Sequence, residues 1–290
     1  MTESQRDHTT ASELQAPEDV PGSLTLPGAV ALGTGVMIGA GIFALTGQTA
    51  GLTGDLFPLA FVVAAIVVAF SAYSYVKLSN AFPSSGGVAM FLREQYGPGT
   101  VTGVFALFMY VSMVISEALV ARTFGAYVLQ VVDLKPVSFW VPALAVMLLA
   151  VAFAVNIAGN RAMQATQGVM AVIKVAGLGL FAVVGLWFAE LANLTSGSDG
   201  AGIEASPDGF LAAVALAILA YKGFTTITNS GGEIKDPHRN TGRAIIIAIG
   251  ICTIVYLAIA AAVAGNLTLP EIIVAEDFSL AEAARPIFGD

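Results

Sequence analysis

The sequence runs to 290 residues, 57% of them hydrophobic and 11% charged, with a formal net charge of -8 and one cysteine. Soluble domains carry about 25% charged residues, so this composition excludes an ordinary water-soluble globule and places most of the chain in a bilayer. The acidity argues against nucleic acid as a partner. Cys252 with two distant histidines, His8 and His238, offers neither an intramolecular disulfide nor a metal site of the usual ligand types, and no cofactor is expected.

Residues 1–26 are polar, contain Pro17 and Pro21, and set Glu3, Asp7, Glu13, Glu18 and Asp19 against Arg6. They read as a disordered acidic tail without a signal-peptide core, with residues 27–290 forming one membrane domain. Seven apolar runs follow, at about 29–50, 57–79, 101–131, 138–157, 164–189, 209–231 and 243–265. About 20 residues suffice to cross the hydrocarbon layer as a helix. With the N-terminus inside, the inner segments carry Arg6, Lys77, Arg93, Arg161, Lys235, Arg239 and Arg243, and the outer ones Lys135 and Arg285. That bias predicts a multi-pass protein of the cell membrane with a cytoplasmic N-terminus.

The first span, opened by Pro27, contains Gly33-Thr34-Gly35-Val36-Met37-Ile38-Gly39-Ala40-Gly41-Ile42-Phe43. Each glycine inside a helix costs about 1 kcal/mol relative to alanine, so its four glycines need a reason. Either they let neighbouring helices approach closely, or the helix is broken here and its freed N–H and C=O groups hold a ligand in mid-membrane.

Asp55 and Pro58 mark the outer turn into span two, which ends at Asn80-Ala81-Phe82-Pro83. The next segment, Pro83 to Gly99, is short and amphipathic between glycine and proline stops, as expected of an interfacial helix on the inner face. Span three carries Glu117 near half-depth, where an ionisable group belongs in the protein interior or a wet cavity. Arg122, five residues on, sits about 140° around the helix, which favours separate partners over an internal pair. Span four has Pro142 in its first turn, where proline is tolerated. Lys174, about ten residues into span five, is either a proton carrier or a fixed cation paired with Glu117 or helix-end carbonyls.

Span six gives way at Lys222-Gly223 to the polar run Thr225-Thr226-Ile227-Thr228-Asn229-Ser230-Gly231-Gly232. It repeats the interruption of span one five segments later. Matching interrupted spans in two halves of a chain point to a transporter's binding site, which tips the reading of span one towards a broken helix. No H-E-x-x-H or comparable acid–base motif supports an intramembrane enzyme.

Four stretches together resemble the amino acid–polyamine–organocation superfamily, especially its cationic-amino-acid-transporter-like branch. They are Gly39-Ala40-Gly41-Ile42-Phe43, Pro83 with Gly86-Gly87, Ala220-Tyr221-Lys222-Gly223-Phe224, and Glu233-Ile234-Lys235-Asp236-Pro237-His238-Arg239-Asn240. The resemblance covers about Pro27 to Asp290. It implies an all-α integral membrane fold of the leucine-transporter type, with two inverted five-helix repeats and broken spans one and six. About seven transmembrane helices would be present, the first repeat whole and the second begun.

The resemblance also implies secondary active transport of an amino acid by alternating access. Backbone N–H groups at Ile38, Gly39, Ala40 and Gly41 would bind the substrate carboxylate, and carbonyls near Tyr221 and Gly223 its amine. Phe224 would shape or gate the site, Glu117 would line it, and Lys174 would stand where other members hold sodium and carry a coupling proton. Three positions depart from the pattern: Ala89 replaces an aromatic, Thr225 an acid, and Lys222 sets a cation beside the pocket, favouring neutral or acidic substrates. The family usually has ten to fourteen spans. The expected partners are therefore an amino acid, protons, the lipid bilayer and a second polypeptide supplying later spans; the alternative is a truncated or split portion that does not transport alone.

Overall fold

The computed structural model describes residues 22–132, 139–157, 160–189, 206–275 and 278–288. The acidic tail through residue 21, the loop with Lys135 and the acidic stretch 190–205 lie outside the described residues. Within them, all regular structure is helical apart from one isolated parallel bridge between Leu24 and Ile234. Exposed Phe70, Phe108, Phe153, Trp187 and Ile254 give it a surface suited to lipid tails, as expected of a multi-pass membrane protein.

The first span is two helices. α1 (Leu26–Met37) is capped by Thr25, whose hydroxyl accepts from the Gly28 N–H, and has a proline in its first turn. It stops where the Ile38 N–H bonds the Thr34 carbonyl and Ile38 turns extended, and α2 (Ala40–Thr53) starts after Gly39. Gly54, at φ 60°, then leads through a single 3-10 turn into α3 (Phe57–Ala81); only glycine takes that backbone without strain. α4 (Gly87–Tyr96) is the short inner helix, burying Gly87 and Phe91. α5 (Thr100–Val131), α6 (Trp140–Ile157) and α7 (Asn160–Phe188) follow as spans three to five.

Span six is α8 (Pro207–Tyr221), a 3-10 turn at Lys222–Phe224, and α9 (Thr225–Asn229). α10 (Pro237–Asn266) is span seven, followed by α11 (Leu269–Ala275) and α12 (Ser279–Phe288). Five of the described helical stretches are long and apolar enough to cross a membrane, while Leu26–Met37 and Ile173–Phe188 are shorter apolar helices. The first apolar run is cut in two, and its second half runs on with span two as Gly41–Ala81.

The core forms around α10. It packs on α3, α1 and α7, while α8 packs on α2 and α3. Its buried face includes Ala244, Ala248, Cys252, Ala260 and Gly265, and α3 presents Ala60, Ala64, Val68 and Ala72 at four-residue steps. Small residues in rows let helices approach where no hydrophobic force drives them together. α6 buries none of its residues and leans on α5 at the edge.

Beside the start of α1, Lys235 N–H bonds the Leu24 carbonyl at 2.8 Å, and Leu24 N–H bonds the Glu233 carbonyl at 2.9 Å. Asp236 takes a left-handed φ of 51° to open α10, and Asn240 Nδ2 donates to the Lys235 carbonyl at 2.7 Å. The Glu233–Asn240 motif therefore ties the start of span one to the end of span six.

Candidate functional site

Gly33 and Gly41 serve close packing, and Gly39 marks the break, so packing and interruption fall to different glycines. A β-carbon added to Gly33 would strike the Ile227 side chain. One on Gly41 would lie 2.7 Å from the Ala220 Cα. From the other side, one on Gly223 would lie 2.8 Å from the Met37 backbone nitrogen. Spans one and six therefore cross backbone to backbone at their interruptions, each offering a glycine to the other.

Tyr256 of α10 joins them. Its ring is fully buried against Tyr221, with centroids 5.0 Å apart. Its hydroxyl reaches the carbonyl of Met37, where α1 ends, and that of Ala220 at 3.0 Å, ahead of the 3-10 turn. These are carbonyls that the interruptions deprive of helix partners, and an unpaired carbonyl inside a membrane costs several kcal/mol. At the turn, the Thr225 hydroxyl donates to the Lys222 carbonyl at 3.0 Å, a local bond that competes with regular helix.

Beside the crossing lies a cavity of about 350 Å³, walled by Met37 and Gly41 of span one, Met113, Ser116, Glu117 and Val120 of α5, and Ala220, Lys222, Gly223 and Thr226 of span six. The volume is in the range of small-molecule sites. Its two charged residues, among those described, are Glu117 and Lys222. Lys222 Nζ donates to Ser112 Oγ at 2.6 Å and Ser116 Oγ at 3.3 Å.

Of the residues expected at the site, Gly41, Glu117 and Gly223 line this cavity. Ile38 and Gly39 are buried at the break behind it. Ala40 is described as backbone alone, at the start of α2. The side chains of Tyr221 and Phe224 are packed away from it, Tyr221 on Tyr256 and Phe224 on Tyr75 at 5.1 Å. Lys174 lies over the break, its Nζ 3.2 Å from where a Gly39 β-carbon would stand. No hydrogen bond or ion pair ties that ammonium among the described residues, and Glu117 acts electrostatically on Lys222 instead. Arg122 lines a different cavity, with Gln48 and Leu216.

Sequence reasoning missed Tyr256 and the serines. A tyrosine in mid-span needs a partner for its hydroxyl, which was the available signal for Tyr256. Ser112 and Ser116, four residues apart, share a helix face that could have been read with Glu117. The polar run of span six proves to be a docking surface: a β-carbon on Gly87 would collide with Asn229, and one on Gly231 would lie 3.0 Å from the Ser84 carbonyl. The Pro83–Gly87 segment covers polar groups that lipid could not.

The described helices thus make a membrane protein whose first span is interrupted and which holds a cavity where that span crosses span six. Residues 24–288 match the model of the amino acid permease family, and the chain belongs to that family. It is 32% identical over 251 residues to the inner membrane transport protein YbaT of Escherichia coli, covering 86% of this chain and 57% of that protein. The methylthioribose transporter of Bacillus subtilis is 24% identical over 83% of this chain and 54% of its own length. The chloroplastic cationic amino acid transporter 9 of Arabidopsis thaliana is 26% identical over 83% of this chain and 44% of its own. The chain spans about half the length of the curated relatives it matches.

Proposed function

We propose that this chain serves secondary active transport of amino acids across the cytoplasmic membrane, coupled to protons and working by alternating access. The observation that carries the reading is the cavity at the crossing of spans one and six, walled on one side by Met37 and Gly41, which flank the break in span one. The α2 amino end, at Ile38, Gly39, Ala40 and Gly41, would take the substrate carboxylate, because the first N–H groups of a helix lack partners and carry partial positive charge. Carbonyls near Tyr221 and Gly223 would take the amine, Phe224 would back the turn, and Glu117 would line the site. Two interrupted spans, five segments apart, support the leucine-transporter arrangement of inverted repeats. The excess of inner basic residues supports a cytoplasmic N-terminus, with 27–290 as one membrane domain behind the acidic tail.

Binding is tested on the purified chain by thermal shift against the twenty amino acids, with methylthioribose alongside. A ligand that binds the folded form raises its melting temperature. Stabilisation by a subset of amino acids is expected; none, or stabilisation by methylthioribose alone, removes the amino-acid reading. Lys174, set against the break and without an ion pair among the described residues, would carry the proton. Its test is uptake into proteoliposomes, by the chain alone or with a second polypeptide bearing further spans. Lys174→Ala should abolish the pH dependence of uptake, and an unchanged pH profile refutes the role.

A further inference from the structure

The charge balance of the cavity rests on two side chains from different spans. Lys222 leaves the 3-10 turn of span six and crosses to α5, where Ser112 Oγ accepts from its Nζ at 2.6 Å and Ser116 Oγ at 3.3 Å. The Ser116 hydroxyl is itself spent as a donor to the Ser112 carbonyl at 2.9 Å, so its lone pairs are left to face the ammonium. The lysine is thus held in place by a pre-oriented pair. An ammonium has three N–H groups, and two are taken. Glu117, next to Ser116 on the same wall, attracts Lys222 through space, yet the two form no ion pair within 4.0 Å. The remaining lining is largely apolar: Val36, Met37, Leu45, Met113, Val120 and Leu219.

We infer that Lys222 is a specificity-determining residue that masks the charge of Glu117 and turns away substrates with a cationic side chain, leaving amino acids with neutral side chains as the class the site accepts. The inference rests on the cavity being the amino-acid site. Glu117 stands exposed on a cavity wall that is otherwise largely apolar, where an unmasked carboxylate attracts a cation. A tethered ammonium beside it cancels that attraction and repels a second ammonium or guanidinium. Neutral side chains then meet an apolar wall with no net charge to desolvate.

Arginine and citrulline, nearly alike in shape and different in charge, test this on the unaltered chain. Citrulline should bind at least about tenfold more tightly than arginine by calorimetry or thermal shift. Lys222→Met should raise arginine affinity about tenfold or more, and adding Glu117→Gln should remove that gain. Glu117→Gln alone, which unmasks the ammonium, should bring in glutamate, and this variant keeps the serine tether should Lys222→Met fold poorly. If the chain binds arginine as well as citrulline, the inference is overturned. If it binds neutral amino acids but neither variant shifts the charge preference, the inference fails while the amino-acid site stands. If it binds no amino acid, both fall together.

Discussion

Span one gives up its helix at Ile38 and Gly39, whereas span six passes its own interruption without leaving the right-handed region. Ile38 is extended at φ -74°, ψ 93°, and Gly39 at φ 172°. In span six, Tyr221, Lys222, Phe224 and Thr225 all keep helical angles, tightened from α to 3-10. The Tyr256 hydroxyl reaches a carbonyl at each, Met37 at the first and Ala220 at the second. The first interruption breaks the helical path, whereas the second keeps it, its Lys222 carbonyl met by the Thr225 hydroxyl. Its effect is instead to aim Lys222 across the cavity at α5. One span offers peptide groups and the other a charged side chain, a division of labour that two equally unwound helices would not give.

The comparison breaks most sharply at the crossing itself. Gly41→Val would drive a branched side chain into the Ala220 backbone, already 2.7 Å from the position of a single added carbon. Overpacking against backbone costs about 1–3 kcal/mol or more. The expected result is loss of the monodisperse folded protein in detergent, and a variant as heat-stable as the parent would show that the spans do not cross there.

Tyr256→Phe probes what holds the two interruptions in register. It leaves the Met37 and Ala220 carbonyls without their hydroxyl, at a cost of about 1–2 kcal/mol. A lower melting temperature together with weaker amino-acid binding is expected. Equal binding with lowered stability would confine the tyrosine to packing.

The smallest effect is a control away from both interruptions. At the start of α11, Thr268 makes two bonds to one carboxylate oxygen: its N–H and its hydroxyl donate to Glu271 Oε2 at 2.8 and 2.7 Å. Thr268→Ala should cost about 1 kcal/mol and leave ligand binding alone. The Thr268 hydroxyl and then its N–H hold the Glu271 carboxyl below its ordinary 4.5. A carboxylate depressed on folding stabilises above its unfolded value and loses that contribution as the pH falls through the folded one. The gap between parent and variant in melting temperature should therefore be full at neutral pH and close as the pH is taken below 4.5.

Much of this fold was legible before any coordinates. Hydropathy placed the spans to within a few residues, Pro27 opened the first, and Gly86-Gly87 opened the inner helix. Four crowded glycines in an apolar run signalled an unusual helix, since they are costly wherever only a span is needed. The site was legible in part: Gly41, Glu117 and Gly223 share the cavity, while the Tyr221 and Phe224 side chains turn into the core. What covers the polar run of span six was not legible, because the cover comes from a segment more than a hundred residues earlier.

By itself, the sequence determined the helices, their apolar lengths and the location of both interruptions, because each of these follows from composition and spacing along a short window of chain. Tertiary structure alone decided that the interruptions touch, that Tyr256 reaches a carbonyl 219 residues away, and that Lys222 anchors on Ser112 rather than pairing with Glu117. Such contacts depend on how helices rotate and approach, which small residues permit but no local pattern fixes.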